Sequence, residues 1–335
     1  MTRIGFATGY DSRASVAEMA GWMTRADELG YEIGFFSETV ELMRDSVTAL
    51  TDFALKSTRL MLGATQIVRL RSPIIMAQTI ATLDELSGGR LILAPGACTA
   101  THAERHGLAP ADPPTALAEW VDAIRQILTG ENVNFKGSEV SFDNCQLGWT
   151  PIRTRVPLWI PATSATGLRL AGRIGDGVLL NAVCSPEYTV NALRIVRKAV
   201  EDAGRSWDDF EVAQLINCSV EDTHEKAVDA IRWEVASKLD PFQLPFIAGP
   251  KMRVGEPYLR SEDIPLFEEA YERGGKEALV KAVPDSYIEG MTASGTPDEV
   301  VERVQQYREA GVRLPVLRPA SRDQAQRLMD LFAPA

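Results

Sequence analysis

Apolar stretches typical of buried strands alternate along the chain with amphipathic segments, and one unit shows this most clearly. Apolar residues run almost unbroken through Leu60–Ile67 and again through Leu91–Ala94, which is typical of parallel strands buried on both faces. Between them, Pro73 begins a stretch with apolar residues at helical spacing, and the pair Gly88 and Gly89 ends it. The pattern predicts one βαβ unit.

The same alternation recurs over the whole chain. Buried strands are predicted to begin near Ile4, Ile33, Leu60, Leu91, Pro157, Gly177, Glu211 and Leu314. These βα units predict an α/β fold, a (β/α)8 TIM barrel formed by residues 1–335 as a single domain. A doubly wound sheet shares the alternation, but no GxGxxG fingerprint follows the first strand.

Two stretches depart from the alternation and are predicted to be insertions. Residues around Lys136 and Gly137 switch to a period of two, which indicates a short hairpin. Leu239–Glu289, after the seventh strand, is rich in proline, glycine and aromatic residues near its start. Segments of this length are more often lids or binding regions than linkers, and we expect one of these roles.

Composition narrows the classes of partner. The chain has 335 residues and a net charge of −11, and its Lys and Arg residues are scattered, so nucleic acid is not expected as a partner. No apolar run reaches the ~20 residues of a membrane helix. The first residues have the pattern of a strand and not of a signal peptide, so we expect a cytoplasmic protein without membrane contact. A small-molecule substrate and a second copy of the chain, forming a homodimer, are the expected partners.

Metal and disulfide chemistry is not indicated. The cysteines are widely spaced and form no CxxC pair: Cys98, Cys145, Cys184 and Cys218. His102 and His106 share one face of a predicted helix, but the sequence HAERH is not HExxH and no third ligand is evident. We therefore predict reduced thiols and no metal site.

In a (β/α)8 barrel, the working residues lie at the carboxyl ends of the strands. Those ends are predicted at Gly9, at Ser37, Glu38 and Thr39, at Thr65, Gln66 and Ile67, at Gly96 and Cys98, at Thr163 and Ser164, at Asn181, at Asn217 and Cys218, and at Arg318. Glu38 is the best candidate for a carboxylate that handles a proton or binds a cofactor ring. A structural ion pair is nearly as common for a carboxylate at a strand end.

The loop after the fifth strand carries the clearest ligand signal. Its hydroxyl groups, its glycine and its backbone N–H groups would converge at the N-terminus of the next helix, which is how a phosphate is held without many cations. An ordinary helix cap explains the same residues, and the pattern alone leaves both interpretations open. The residues concerned are Thr163, Ser164, Ala165, Thr166 and Gly167.

Two phrases, ATLDELSGGR at residues 81–90 and AGRIGDGV at residues 171–178, resemble the bacterial luciferase-like family of flavin- and deazaflavin-dependent oxidoreductases. The resemblance implies a (β/α)8 barrel whose strand-five loop binds the phosphate of FMN or of coenzyme F420, and we expect Asp176 and Gly177 to assist. It also implies a non-proline cis peptide behind the cofactor ring, at Gln66 and Ile67. Further cofactor contacts are expected at three other strand ends, from Gly9, Thr39, Gly96 and Cys98.

Three longer stretches are similar to the deazaflavin branch related to methylenetetrahydromethanopterin reductase: residues 94–108, 113–135 and 283–300. Two departures matter: Ser37, Glu38 and Thr39 stand where many relatives have Ser-Asp-His, and Cys98 and Thr99 stand where deazaflavin sugar-phosphate dehydrogenases have a glutamate. The resemblance implies an F420-dependent oxidoreductase that transfers a hydride between the deazaflavin and a small organic substrate. The alternatives are an FMN-dependent monooxygenase and a barrel that binds F420 or flavin without catalysis.

Overall fold

The computed structural model describes residues 3–38, 40, 43–97, 100–241, 254 and 259–334. Parallel strands follow one another around a barrel in chain order, and Leu93 N donates to Pro157 O at 3.0 Å where the fourth barrel strand meets the fifth. The predicted TIM barrel is confirmed. The strands are β1 (Gly5–Thr8), β2 (Ile33–Phe36), β3 (Met61–Ile67), β4 (Leu91–Gly96), β5 (Val133–Lys136), β6 (Ser141–Cys145), β7 (Trp159–Ala162), β8 (Gly177–Leu180), β9 (Glu211–Val220), β10 (Ala293–Gly295) and β11 (Leu314–Pro319).

Helices cover the outside of the barrel, and most of them lie where the apolar spacing predicts them. They are α1 (Val16–Leu29), α2 (Ser46–Lys56), α3 (Pro73–Ser87), α4 (Ala100–Arg105), α5 (Pro113–Leu128), α6 (Ala165–Ile174), α7 (Pro186–Asp202), α8 (His224–Ala236), α9 (Ile264–Ala282), α10 (Asp285–Met291), α11 (Pro297–Glu309) and α12 (Ala325–Leu331).

Local capping explains why these helices begin and end where they do. Ser15 and Glu18 form a capping box at the start of α1, and Gly30 ends that helix with a left-handed φ of +86°. Ser72 caps α3 through the N–H of Ile75, and Gly88 ends it in the same left-handed conformation. The loops therefore leave each helix at a fixed point, which returns the chain to the next strand.

The barrel has two apolar layers because successive residues of a strand face opposite sides. One layer, inside the barrel, includes Ala7, Phe35, Ala94, Leu215 and Val316. The other lies between the strands and the helices and includes Phe6, Phe36, Leu93, Ile216 and Leu317. The same alternation directs the side chains of Asn217 and Arg318 inward at the carboxyl end of the barrel.

The two predicted insertions are present. The hairpin β5–β6 forms, with Phe135 stacked on Phe142 at 5.7 Å between ring centroids. The described part of the second insertion packs on α8 through a separate apolar cluster that contains Phe267 and Tyr287. It leads into β10, a strand that the sequence pattern did not predict, which pairs with the end of β9. Residues 242–253 and 255–258 lie outside the described part of the chain.

Candidate active site at the carboxyl end of the barrel

The turn between β7 and α6 places a helix N-terminus at the carboxyl end of the barrel. Ser164 caps α6: its backbone is extended, and its Oγ accepts from Gly167 N at 3.0 Å. The N–H groups of Ala165 and Thr166 precede the first intrahelical hydrogen bond and point out of the helix end. Thr163 is fixed beside them because its carbonyl accepts from the Tyr188 hydroxyl.

This turn can therefore do both things that the sequence left open. The Ser164 hydroxyl is a helix cap, and the amide groups beside it form a positive end suited to a phosphate. The turn is also closely packed at Gly167, because a Cβ there would lie 3.2 Å from Ser164 Oγ and 3.4 Å from Ala162 Cβ.

Asp176 and Gly177, expected beside the phosphate, lie at the other end of the barrel, so that placement is corrected. They stand at the start of β8, and a parallel strand begins at the amino end. The Asp176 carboxylate pairs with Arg125 at 2.9 Å, pairs also with Arg155, and accepts from Leu158 N at 3.0 Å. Burial alone would raise the pKa of Asp176, but Arg125 and the other donors outweigh burial and lower it.

Gly177 has a packing reason of its own. A Cβ at this position would lie 2.7 Å from Glu211 Cβ and 2.8 Å from Trp159 Cδ1, so only glycine lets the three strands approach. The DG pair in this chain thus serves the packing of β7, β8 and β9 at the amino end.

The Glu38 carboxylate is enclosed behind the ends of β2 and β3. Its side chain is 7% exposed, and its Oε2 accepts from Gln66 Nε2 at 2.8 Å and from Ser46 N at 3.2 Å. Arg71 approaches Oε1 at 3.6 Å and also donates to Gln66 Oε1. The arrangement favours the structural ion pair over proton handling, and it engages the side chain of Gln66 as well.

Other predicted cofactor residues lie at the rim as backbone positions. Gly9 ends β1 with a φ of +77°, and a Cβ there would lie 2.8 Å from Ser37 O. Gly96 pairs with Ile67 at the ends of β4 and β3, and a Cβ on Gly96 would meet only Gln66 O, at 3.8 Å. Thr39 and Cys98 lie outside the described residues, so their expected cofactor contacts stay predictions.

Three buried polar atoms at the rim have no hydrogen-bond partner in the described part of the chain: Tyr10 Oη, Ser37 Oγ and Asn217 Nδ2. Ser37 and Asn217 were among the predicted strand ends. Tyr10 was missed because it follows the predicted strand end by one residue, and its only sequence signal is an aromatic hydroxyl beside Gly9. Native proteins rarely leave such atoms unpaired, so each marks a place for a ligand or water.

Two of the four cysteines lie near the predicted strand ends and can be placed in the structure. Cys184 and Cys218 are fully buried, and burial raises the pKa of the Cys218 thiol, so it is not a nucleophile. The described residues contain no group of His, Cys, Asp and Glu side chains able to hold a metal ion. They also contain no helix long and apolar enough to cross a membrane.

Comparison with known proteins gives consistent results. A 5,10-methylenetetrahydromethanopterin reductase of Archaeoglobus fulgidus is 31% identical over 302 residues, which cover 88% of this chain and 87% of the relative. An F420-dependent glucose-6-phosphate dehydrogenase of Nakamurella multipartita is 28% identical over 97% of this chain and 93% of its own.

Among solved structures, the coenzyme F420-dependent tetrahydromethanopterin reductase of Methanopyrus kandleri superimposes with a TM-score of 0.83. The match covers 98% of this chain and 97% of the other, at 24% identity, and supports the fold. The sequence model described as luciferase-like monooxygenase matches residues 1–314. The chain belongs to the luciferase-like monooxygenase family.

Proposed function

We propose that this chain is an F420-dependent oxidoreductase that transfers a hydride between the deazaflavin and a small organic substrate. Both relatives named above are oxidoreductases, and the dehydrogenase carries F420 dependence in its name. The observation that carries the proposal in this chain is the β7–α6 turn, which presents the unpaired end of α6 at the carboxyl end of the barrel. A chain that resembled the family but lacked this turn would have no helix N-terminus at which to bind the cofactor phosphate.

The residues at the rim fit a cofactor of this kind. Thr163, Ser164, Ala165, Thr166 and Gly167 would hold its phosphate by N–H and hydroxyl groups. Gly9 and Gly96 leave the ends of β1 and β4 without side chains, which allows a flat ring to approach the backbone. When bound, F420 supplies a carbon at position 5 that gives or accepts a hydride.

The protein's own part is to position and to shield. The apolar layer inside the barrel lies below the rim and would help to keep water from the reacting atoms. The Glu38 network holds the ends of β2 and β3 in place, and a catalytic part for Glu38 would require its carboxylate to leave two hydrogen-bond donors. Ile67 and the backbone of Gln66 are proposed to support the ring.

The insertion and the assembly state complete the proposal. We treat residues 1–335 as one domain in which residues 239–289 form a lid or a binding region.

Apolar side chains on the neighbouring helices α2 and α3 are exposed, among them Leu55 and Ile75, and their exposure supports a homodimer. Sedimentation of the purified protein measures that state directly. A cytoplasmic location stays a prediction from the sequence.

An FMN-dependent monooxygenase is the second candidate, because the matching family is itself named for monooxygenases. A barrel that binds a cofactor without catalysis is the third, and the missing Ser-Asp-His sequence after β2 is the observation that favours it.

Titration of the purified protein with F420 and with FMN separates these candidates. We expect low-micromolar F420 affinity, about −8 kcal/mol, and distinctly weaker FMN binding. Tighter binding of FMN than of F420 would contradict the proposal and favour the monooxygenase.

A further inference from the structure

A second group of polar side chains occupies the rim on β9, β11 and the end of β1. Arg318 points inward from β11 and is 16% exposed. Its Nη1 donates to Asn217 Oδ1 on β9 at 3.3 Å, and its guanidinium carbon lies 5.4 Å from the centre of the Tyr10 ring. These contacts come from three neighbouring strands, so barrel closure fixes the guanidinium in place.

Two hydrogen-bond donors beside Arg318 are unused. Asn217 is 2% exposed, and its Nδ2 has no partner among the described residues; the same is true of the buried Tyr10 hydroxyl. Burial raises the pKa of Tyr10, so the hydroxyl stays protonated and able to donate. Because a buried polar atom without a partner is destabilising, an incoming acceptor is favoured at this point.

Three cations, Arg318, Lys238 and Lys276, and two carboxylates, Glu234 and Asp240, act on one another around the same point. Glu234 on α8 accepts from Arg318 at 3.0 Å, and Lys238 follows that helix, half-buried, with no hydrogen bond of its ammonium in the described part of the chain. Burial lowers the pKa of Lys238, and the positive charges of Arg318 and Lys276 lower it further, while the carboxylates of Glu234 and Asp240 raise it. A bound anion would pair with Lys238 and relieve this repulsion.

We propose that Tyr10, Asn217, Lys238 and Arg318 form a subsite for an oxyanion group of the substrate, a carboxylate or a phosphate monoester. The inference rests on the proposed function, since the substrate would react at the cofactor beside it. The topology suits that arrangement: β9, β11 and β1 are two, three and four strands from β7 around the barrel, so the subsite lies on a different part of the rim from the β7–α6 turn. The two sites would hold the cofactor phosphate and the substrate at separate places on the rim.

The subsite is tested by calorimetric titration of the F420-loaded protein with inorganic phosphate and, separately, with acetate. Cofactor already occupies the β7–α6 turn in this experiment, so bound anion reports the subsite. Stronger binding of phosphate indicates a phosphate monoester as the substrate group, and stronger binding of acetate indicates a carboxylate.

Lys238→Met is the main variant, because no hydrogen bond of its ammonium is lost with it in the described part of the chain. We expect anion affinity to fall about tenfold, the effect of one charged donor. Asn217→Ala is expected to weaken binding several-fold. Lys198→Met is the matched control, since Lys198 on α7 pairs, among the described residues, with the exposed Asp202 alone, and the anion affinity of this variant is expected to match that of the unaltered protein.

The outcomes separate the two proposals. If F420 binds but neither anion does, or if Lys238→Met binds anion as tightly as Lys198→Met, the subsite is wrong while the proposed function stands. If F420 itself fails to bind, the proposed function fails. Phosphate titration of a Ser164→Glu variant, whose altered turn repels anions, then tests the subsite without cofactor: binding that Lys238→Met abolishes supports it, and no binding overturns it.

Discussion

The two ends of the barrel use their polar groups in opposite ways. At the amino end, charged side chains are matched to partners on other strands and helices. Arg3 donates to both Glu32 and Glu211 at 2.5–3.1 Å, and the Asp27 carboxylate accepts from three consecutive N–H groups of residues 58–60. Such saturation fixes the strands in register and leaves little capacity for a ligand.

At the carboxyl end, by contrast, several buried polar atoms have no hydrogen-bond partner among the described residues. Tyr10, Ser37 and Asn217 each keep one unsatisfied atom there in the described part of the chain, and the N-terminus of α6 faces the same rim. Among the described residues, Arg125 Nε is such an atom at the amino end, but it belongs to a side chain that already holds Asp176.

The two ends of the barrel differ less in how many charged residues they carry than in whether the polar groups have hydrogen-bond or ion-pair partners. An acidic residue in a recognisable phrase, such as Asp176 in AGRIGDGV, serves stability when its donors are complete. An uncharged residue such as Asn217 marks a candidate ligand contact when one of its donors has no partner in the described part of the chain. Unsatisfied donors cost stability and persist where a ligand completes them.

The largest effect is expected from Ser164→Glu, which places a carboxylate at the functional end. The added charge would repel a cofactor phosphate and compete for the N–H groups of α6, so F420 affinity should fall by at least about 100-fold. Equilibrium titration measures the loss, and circular dichroism confirms that the fold persists.

Ser164→Ala controls for the lost cap. Both variants lose the Ser164 hydroxyl that accepts from Gly167 N, which lowers the free energy of unfolding by about 1 kcal/mol. Only the glutamate adds charge, so the alanine variant should keep most of its F420 affinity. Unchanged affinity in Ser164→Glu would remove the β7–α6 turn from the site.

Asp176→Asn probes the structural end. Removing the charge that faces Arg125 and Arg155 should lower the free energy of unfolding by about 2–3 kcal/mol, while F420 affinity stays the same. Because the pKa of Asp176 is lowered in the folded state, its contribution is complete above the unfolded value of about 3.9 and disappears as pH falls through the folded value. The variant should therefore lose less stability on acidification, and a large fall in F420 affinity would contradict this placement.

Glu38→Gln tests an exception, a saturated carboxylate near the functional end. The amide oxygen can take the place of Oε2 and accept from Ser46 N and Gln66 Nε2, but the NH2 group then faces the Arg71 guanidinium, so the free energy of unfolding should fall by about 1–2 kcal/mol with turnover changed only a few-fold. Chemical denaturation and a pH profile of turnover are the measurements. A fall in turnover of about 100-fold, with stability and F420 affinity intact, would restore Glu38 as the proton-handling residue.

The smallest effect concerns His224, which joins the insertion to the barrel. Its ring nitrogens lie 3.0 Å from Glu289 on α10 and 3.2 Å from Glu299 on α11, and these carboxylates raise its pKa. A raised pKa adds stability below the unfolded value of about 6.5, and that stability is lost as pH rises through the folded value. His224→Gln should remove a few tenths of a kcal/mol at low pH and nothing at high pH, since the site is exposed. An equal loss of unfolding free energy at both pH values would mean that the imidazole ring stabilises the fold by packing and not through its charge.

The sequence predicts the barrel well because each strand and helix carries its own local signal, as Pro73 and Gly88 show for α3. It places the β7–α6 turn for the same reason. The end of the barrel on which Asp176 lies also follows from the sequence, since that residue precedes the strand predicted to begin at Gly177. The prediction that Asp176 lies beside the phosphate was wrong because it followed the resemblance of AGRIGDGV to a family motif and not the direction of the strand that begins at Gly177.

Other features depend on contacts that no local pattern encodes. β10 forms only because the end of β9 offers it an edge. Tyr10 and Arg318 are far apart in the chain and meet because the last strand closes the barrel beside the first. The enclosure of Glu38 requires Ser46, at the start of α2, and Arg71, in the segment between β3 and α3, to come together.

The central claim, hydride transfer by a deazaflavin enzyme, is tested most directly by following the oxidation of reduced F420 with and without oxygen, using small carbonyl compounds that carry a carboxylate or phosphate. The account predicts that turnover needs the organic acceptor, proceeds equally well without oxygen, and consumes no oxygen when it is present. Product formation that requires both reduced FMN and oxygen would contradict it.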